Sequence, residues 1–321
     1  MKKSEKAAII FFIIFVLVGV SILCIMSQKK LKADTSHRLQ IITTLFPTYD
    51  FARQVAGDRA DITLLLPNGE EAHGYEPTPQ DMIRIRQADV FIYVGEELEP
   101  WAAQLAPNLM RQGVTVIDLS QSVNLLLEEE EGEEEGHEQN HHNHHHTYDP
   151  HVWTSPVNAR SMVEEISIAL QEIDKNNGGY YQERTKKYCA QLVELDKQIR
   201  QITKKASSHR IYFGGRFALH YFFHEYGLEE IAAYDSCGEE AEPNAKRIAN
   251  IIEMMQENHA KVIFYEELVD PKAARIISRQ TKAEVLLFHS CHNVTKEEME
   301  EGATYLSLMK QNAKYLKKAL E

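Results

Sequence analysis

The chain has 321 residues, 43% of them hydrophobic and 26% charged, which is ordinary globular composition. At about 100–200 residues per domain, that length suggests two domains. The formal net charge of -13 argues against nucleic acid as a partner, because phosphate binding requires clustered Lys and Arg.

The first element is an apolar run. Lys2, Lys3 and Lys6 precede an uncharged stretch from Ala7 to Met26. A basic start followed by about 20 apolar residues reads as a membrane anchor or a signal peptide. Cys24 adds a third reading, a lipid-modified Cys, although Leu23 is larger than the small residue that usually precedes one. The uncleaved anchor is read first and the lipoprotein second. All three place the rest of the chain outside the cytoplasm.

Strand and helix then alternate. The β-branched run Leu39 to Thr44 predicts a strand that breaks at Pro47, and Tyr49 to Ala56 a helix. Asp61 to Leu66 reads as a strand ended by Pro67, Asn68 and Gly69. Thr78 to Gln87 carries helix start signals: a capping Thr78, Pro79 in the first turn and the acidic Asp81. Asp89 to Val94 is a buried strand, Trp101 to Met110 a helix and Val114 to Asp118 a strand. Glu128 to His146 interrupts the pattern with Glu and Gly, then His, and no apolar period, so it is expected to be a mobile loop.

From Pro156 to about Ala206 the pattern is helical, with Val163, Ile166, Ala169, Leu170 and Ile173 on one stripe. Asn177, Gly178 and Gly179 interrupt it, and Leu192, Leu195, Ile199 and Ile202 resume it. A second set follows: strand Arg210 to Phe213, helix Leu219 to Tyr226, strand Ile231 to Tyr234 and helix Ala245 to Glu257. Strand Val262 to Tyr265, helix Pro271 to Thr281, strand Val285 to Phe288 and helix Lys296 to Leu320 complete it. The expected fold is α/β, with two lobes, each a mostly parallel sheet flanked by helices, joined by a long interdomain helix. The boundaries are 1–38 for the anchor or signal and linker, 39–157 for the first lobe with its loop at 128–146, 158–206 for the connection, and 207–321 for the second lobe.

Four histidines outside the low-complexity loop stand near predicted strand ends or turns: His73, His151, His220 and His289. Ligands of open α/β sheets bind outside the carboxyl ends of the strands, and four imidazoles converging there suit a tetrahedral zinc ion. A lone histidine is more often a surface or satisfied core residue, and His37, His209, His224 and His259 are read that way. His292, Glu71, Glu266 and Glu267 are reserve ligands. Of four cysteines, Cys237 and Cys291 both fall in C-terminal loops, and outside the cytoplasm a disulfide between them can persist.

HGYEPTPQDM (His73 to Met82) followed by ADVFIYVG, DPHVWTSP (Asp149 to Pro156) and FALHYFFHEYGL (Phe217 to Leu228) resemble the signatures of metal-specific solute-binding proteins of bacterial ABC importers. The resemblance implies a metal held between two α/β lobes by a histidine from each of these segments. His73 and His151 match by position. Many relatives place the third ligand at the position of Arg216, which has no lone pair to give. His220, one helical turn on, is therefore assigned. The fourth position, commonly a carboxylate, is matched here by His289. An all-nitrogen set suits zinc, whereas carboxylate oxygen suits manganese.

Zinc-specific relatives often carry an acidic, His-rich loop before the second motif. Here His137, His141, His142, His144, His145 and His146 would gather metal beside the cleft, the plainer reading being a solvated linker. The implied partners are a membrane permease and a cytoplasmic ATPase, and the implied role is zinc capture outside the membrane, not enzymatic. A manganese-binding homologue and a zinc-dependent hydrolase are the alternatives. No H-E-x-x-H or G-x-S-x-G motif supports the hydrolase, and no separate adhesive module supports an adhesin.

Overall fold

The computed structural model describes residues 38–127, 148–215, 217–233 and 245–321. Leu39–Glu321 forms one compact unit. Its first sheet contains β1 (Leu39–Thr43), β2 (Ala60–Leu64), β3 (Val90–Tyr93) and β4 (Thr115–Asp118). All are parallel, in the order β2-β1-β3-β4. The second sheet repeats that plan with β5 (Arg210–Phe213), β6 (Glu229–Ala232), β7 (Val262–Tyr265) and β8 (Glu284–Leu287), ordered β6-β5-β7-β8. In each, the chain leaves a central strand to both sides, which makes the carboxyl ends of β1 and β3, and of β5 and β7, the natural crevices for a ligand.

Helices cover the sheets: α1 (Phe46–Ala56), α2 (Pro79–Arg86) and α3 (Pro100–Arg111) in the first lobe, with α4 (Pro156–Ile173) and α5 (Gly178–Lys205) leading to the second. There α6 (His220–Tyr226), α7 (Ala245–Glu257), α8 (Lys272–Thr281), α9 (Lys296–Glu300) and α10 (Tyr305–Leu320) follow. Alternation along the strands sorts the core. Ile41, Ile92 and Ile117 face inward together with Phe213, Phe264 and Leu286 of the second sheet, all in one apolar cluster that runs through α4 and α5. Ile42, Phe91 and Tyr93 face a separate outer core, and Tyr212 and Ile263 another. Strands buried on both faces read as unbroken apolar runs, as DVFIYV does.

Several boundaries differ from expectation. The long helix expected between the lobes is present as α4, and the expected interruption after it falls slightly earlier. The break falls at Asp174, whose carboxylate accepts from Asn177 Nδ2 at 2.7 Å and Tyr181 Oη at 2.6 Å, and the two glycines lie in the first turn of α5. The last helix is also divided, because Gly302 takes φ +80° and Thr304 caps a new start. β6 begins at Glu229, two residues earlier than its apolar pattern suggests. Just after β5, Gly214 lets the chain pass close to α8: a Cβ there would lie 2.4 Å from the Ala274 backbone.

The bridge expected between Cys237 and Cys291 is not formed at Cys291, which is a free thiol with no exposed surface inside the common core. Cys237 lies outside the described residues, as do the N-terminal apolar run with Leu23 and Cys24, Arg216, and the acidic His-rich loop with His137, His141, His142, His144, His145 and His146. Among the described residues no helix is long and apolar enough to cross a membrane.

Candidate metal centre

The loop after β2 carries His73. It turns at Gly69, which has φ +83° and donates its N–H to Val294 O at 2.9 Å in the second lobe. Asn293 reinforces that junction, its amide donating to Pro67 O at 2.7 Å and Glu70 O at 3.0 Å. Glu71 Oε1 accepts from Ala72 N at 3.0 Å, just ahead of His73. Downstream, Thr78 and Asp81 form a reciprocal cap on α2.

His151 is buried, between Pro150 and the start of α4. Asp149 Oδ1 accepts from the His151 backbone N–H at 2.7 Å and lies 3.0 Å from its Nδ1. A carboxylate in that position holds the imidazole proton on Nδ1 and leaves the Nε2 lone pair for a metal. Burial pushes the Asp149 carboxyl up, but its hydrogen bonds and electrostatic interaction with His151, and that with His220, outweigh burial and hold it below its ordinary value.

His292 follows β8. Its Nδ1 is 2.6 Å from Ser290 Oγ, which donates to Glu267 Oε1 at 2.5 Å. The same carboxylate accepts from the backbone N–H of Ser290 at 2.8 Å and of His292 at 3.2 Å. Trp153 stands edge-on to both rings, its centroid 5.6 Å from that of His151 and 5.0 Å from that of His292.

His73, His151 and His292 thereby converge. Among the described residues they form a group of possible metal ligands with one nitrogen from each within 4.8 Å of the others. The Nε2 atoms of His73 and His151 are 3.3 Å apart. Two nitrogens bound to one zinc at 2.0–2.1 Å and a tetrahedral angle are separated by about 3.3 Å. Glu71, Glu266 and Glu267 line the same small cavity as His73, Ser290 and His292, so carboxylate oxygen is also present.

The other two expected ligands are not part of this three-histidine group. His220 is the first residue of α6, with Leu219 as its N-cap, so the helix does not extend back toward position 216 and the argument of one turn along a shared face does not apply. Its ring lies beside Tyr221, whose hydroxyl donates to Asp149 O at 2.8 Å. His289 is 2% exposed and faces two carboxylates, Glu267 at 3.4 Å and Glu298 at 3.8 Å. Asn312 binds both its backbone N–H and its carbonyl. Cys291 takes φ +65° between His289 and His292, and His292, not His289, lines the cavity with His73. The sequence signal for His292 was its closeness to His289, which directly follows the strand.

Two parallel-sheet lobes with a three-histidine cluster drawn from both define a two-lobed α/β protein with a candidate metal site at the strand ends. The family described as "Zinc-uptake complex component A periplasmic" matches residues 41–319, and the chain belongs to it. It is similar to the "High-affinity zinc uptake system protein ZnuA" of Bacillus subtilis, at 35% identity over 298 residues and 92% of each chain. Among solved structures, the "Metal-dependent Lipoprotein YcdH" of Bacillus subtilis superposes with a TM-score of 0.75 at 31% identity, covering 88% of this chain and 99% of that one. Zn(II)-bound AdcA from Streptococcus pneumoniae gives a TM-score of 0.73 at 30% identity over 88% of this chain, which spans only 58% of AdcA.

Proposed function

We propose that this chain captures zinc through His73, His151 and His292 outside the cytoplasm and delivers it to an ABC importer, whose permease and ATPase are its partners. The 3.3 Å approach of the His73 and His151 Nε2 atoms, with His292 beside them, carries the reading. Two lone pairs that close repel unless a proton or a cation lies between them. Nitrogen donors favour zinc over manganese. Three histidines leave a fourth tetrahedral position, which Glu71 or Glu266 of the same cavity can fill and so close the site. Membership of a zinc-uptake family supports transport over hydrolysis, and so do the zinc-uptake and zinc-binding names of its relatives. The acidic His-rich loop adds a gathering role, and the N-terminal apolar run a membrane tether.

Metal analysis of untagged protein tests this. About one tightly held zinc per chain is expected, retained when 128–146 is deleted and lost in His73→Ala, His151→Ala and His292→Ala. Retention of zinc in all three substituted chains, or none in the native chain, contradicts the assignment. His220→Ala and His289→Ala are expected to keep the stoichiometry.

A further inference from the structure

The contacts around His292 form a line. Glu267 accepts the Ser290 hydroxyl proton at 2.5 Å, and Ser290 Oγ lies 2.6 Å from His292 Nδ1. All three residues are held tightly. Glu267 is 8% exposed and Ser290 2%, and backbone N–H groups of residues 290 and 292 are bound to the same carboxylate. The Ser290 hydroxyl proton points to Glu267 Oε1. The remaining lone pairs of Ser290 Oγ then accept from Nδ1–H of the imidazole. A neutral imidazole protonated on Nδ1 has its lone pair on Nε2.

We infer that Ser290 is a positioning residue for metal capture: it relays the Glu267 carboxylate to His292, fixes the Nδ1–H tautomer and so presents Nε2 to the ion. This rests on the zinc-site reading above. The relay parallels Asp149 acting directly on His151, but here the carboxylate is one residue removed and the serine hydroxyl spans the gap. Hydrogen-bonded partners of this kind both orient a ligating imidazole and raise its basicity. The second lobe thus matches chemically what the first lobe achieves by direct contact.

Two measurements test it. In metal-free, full-length protein labelled with nitrogen-15, long-range proton–nitrogen correlation spectra report the tautomer of His292 directly. Protonation on Nδ1 is expected, and Ser290→Ala is expected to shift the population toward Nε2–H. Protonation on Nε2 in the native protein overturns the proposal. In competition titrations with a chelator, Ser290→Ala is expected to bind zinc about 10- to 100-fold more weakly at unchanged stoichiometry, with Ser290→Thr recovering part of the loss. Equal affinity in native and Ser290→Ala protein also overturns it. If the native chain binds no zinc, the functional reading fails, while the tautomer measurement still decides the role of Ser290.

Discussion

Glu298 illustrates how one side chain serves two structures. Its Oε2 accepts from Thr295 N at 2.8 Å and its own N–H donates to Thr295 Oγ1 at 3.1 Å, a reciprocal cap on α9. Its other oxygen faces the buried His289 at 3.8 Å. The His289 interaction, followed by the Thr295 bonds and working against burial, lowers its pKa to about 2. An unfolded Glu titrates near ~4.3. Because the folded value is the lower one, Glu298 stabilises the fold above ~4.3, and that contribution fades as pH falls toward the folded value. Glu298→Gln is therefore expected to melt at a lower temperature than the native chain near neutral pH. It should also lose less melting temperature between about pH 5 and about pH 3. Parallel acid dependence in the two proteins would show that the Glu298 carboxylate does not matter.

At the scale of elements, the junction of the loops after β2 and β8 sets the site. Asn293 has no exposed surface and its amide binds two carbonyls of the opposite lobe. Asn293→Ala removes that donor from both carbonyls, Pro67 O keeping only the Glu70 N–H, and is expected to cost about 1–3 kcal/mol in denaturant unfolding. Zinc affinity should fall with it, because His73 and His292 hang from the joined loops. Unchanged stability would mean that the junction does not hold the loops together.

Much at this scale was legible in the sequence. The parallel strands showed as apolar runs, Thr78 and Pro79 marked a helix start, and His73 and His151 sat in recognisable motifs. The pairing of loops across lobes was not legible, because it depends on backbone carbonyls that every residue carries. Nor was the placing of His292, rather than His289, beside His73 and His151, in a turn where Cys291 takes a left-handed conformation that non-glycine residues seldom adopt. The assignment of His220 assumed a helix reaching back to Arg216, whereas α6 starts at His220 itself.

For the whole molecule, Trp153 marks where the lobes meet. It is fully buried; its indole N–H donates to Ser290 O at 2.8 Å, and its own carbonyl accepts from Tyr305 Oη at 2.7 Å. Asp50, also fully buried, accepts from Tyr305 N at 2.9 Å and pairs with Arg53, which reaches Ala303 O at 3.1 Å. Replacing Trp153 by Ala empties the centre of the shared core and is expected to cost about 3–5 kcal/mol. One cooperative transition, shifted as a whole, is the expected result in denaturant. Separate transitions for the two halves would contradict a common core.

Under the proposed zinc reading, the loop junction at Gly69, Asn293 and Val294 would have a kinetic consequence. With donors already in place, an arriving ion meets an almost finished coordination shell and needs little rearrangement of the chain to bind. Arrival is then governed by diffusion and by shedding of water from the ion, and residence time by how often the joined loops part. A receiving protein that prises the junction open would shorten residence without competing for the metal itself.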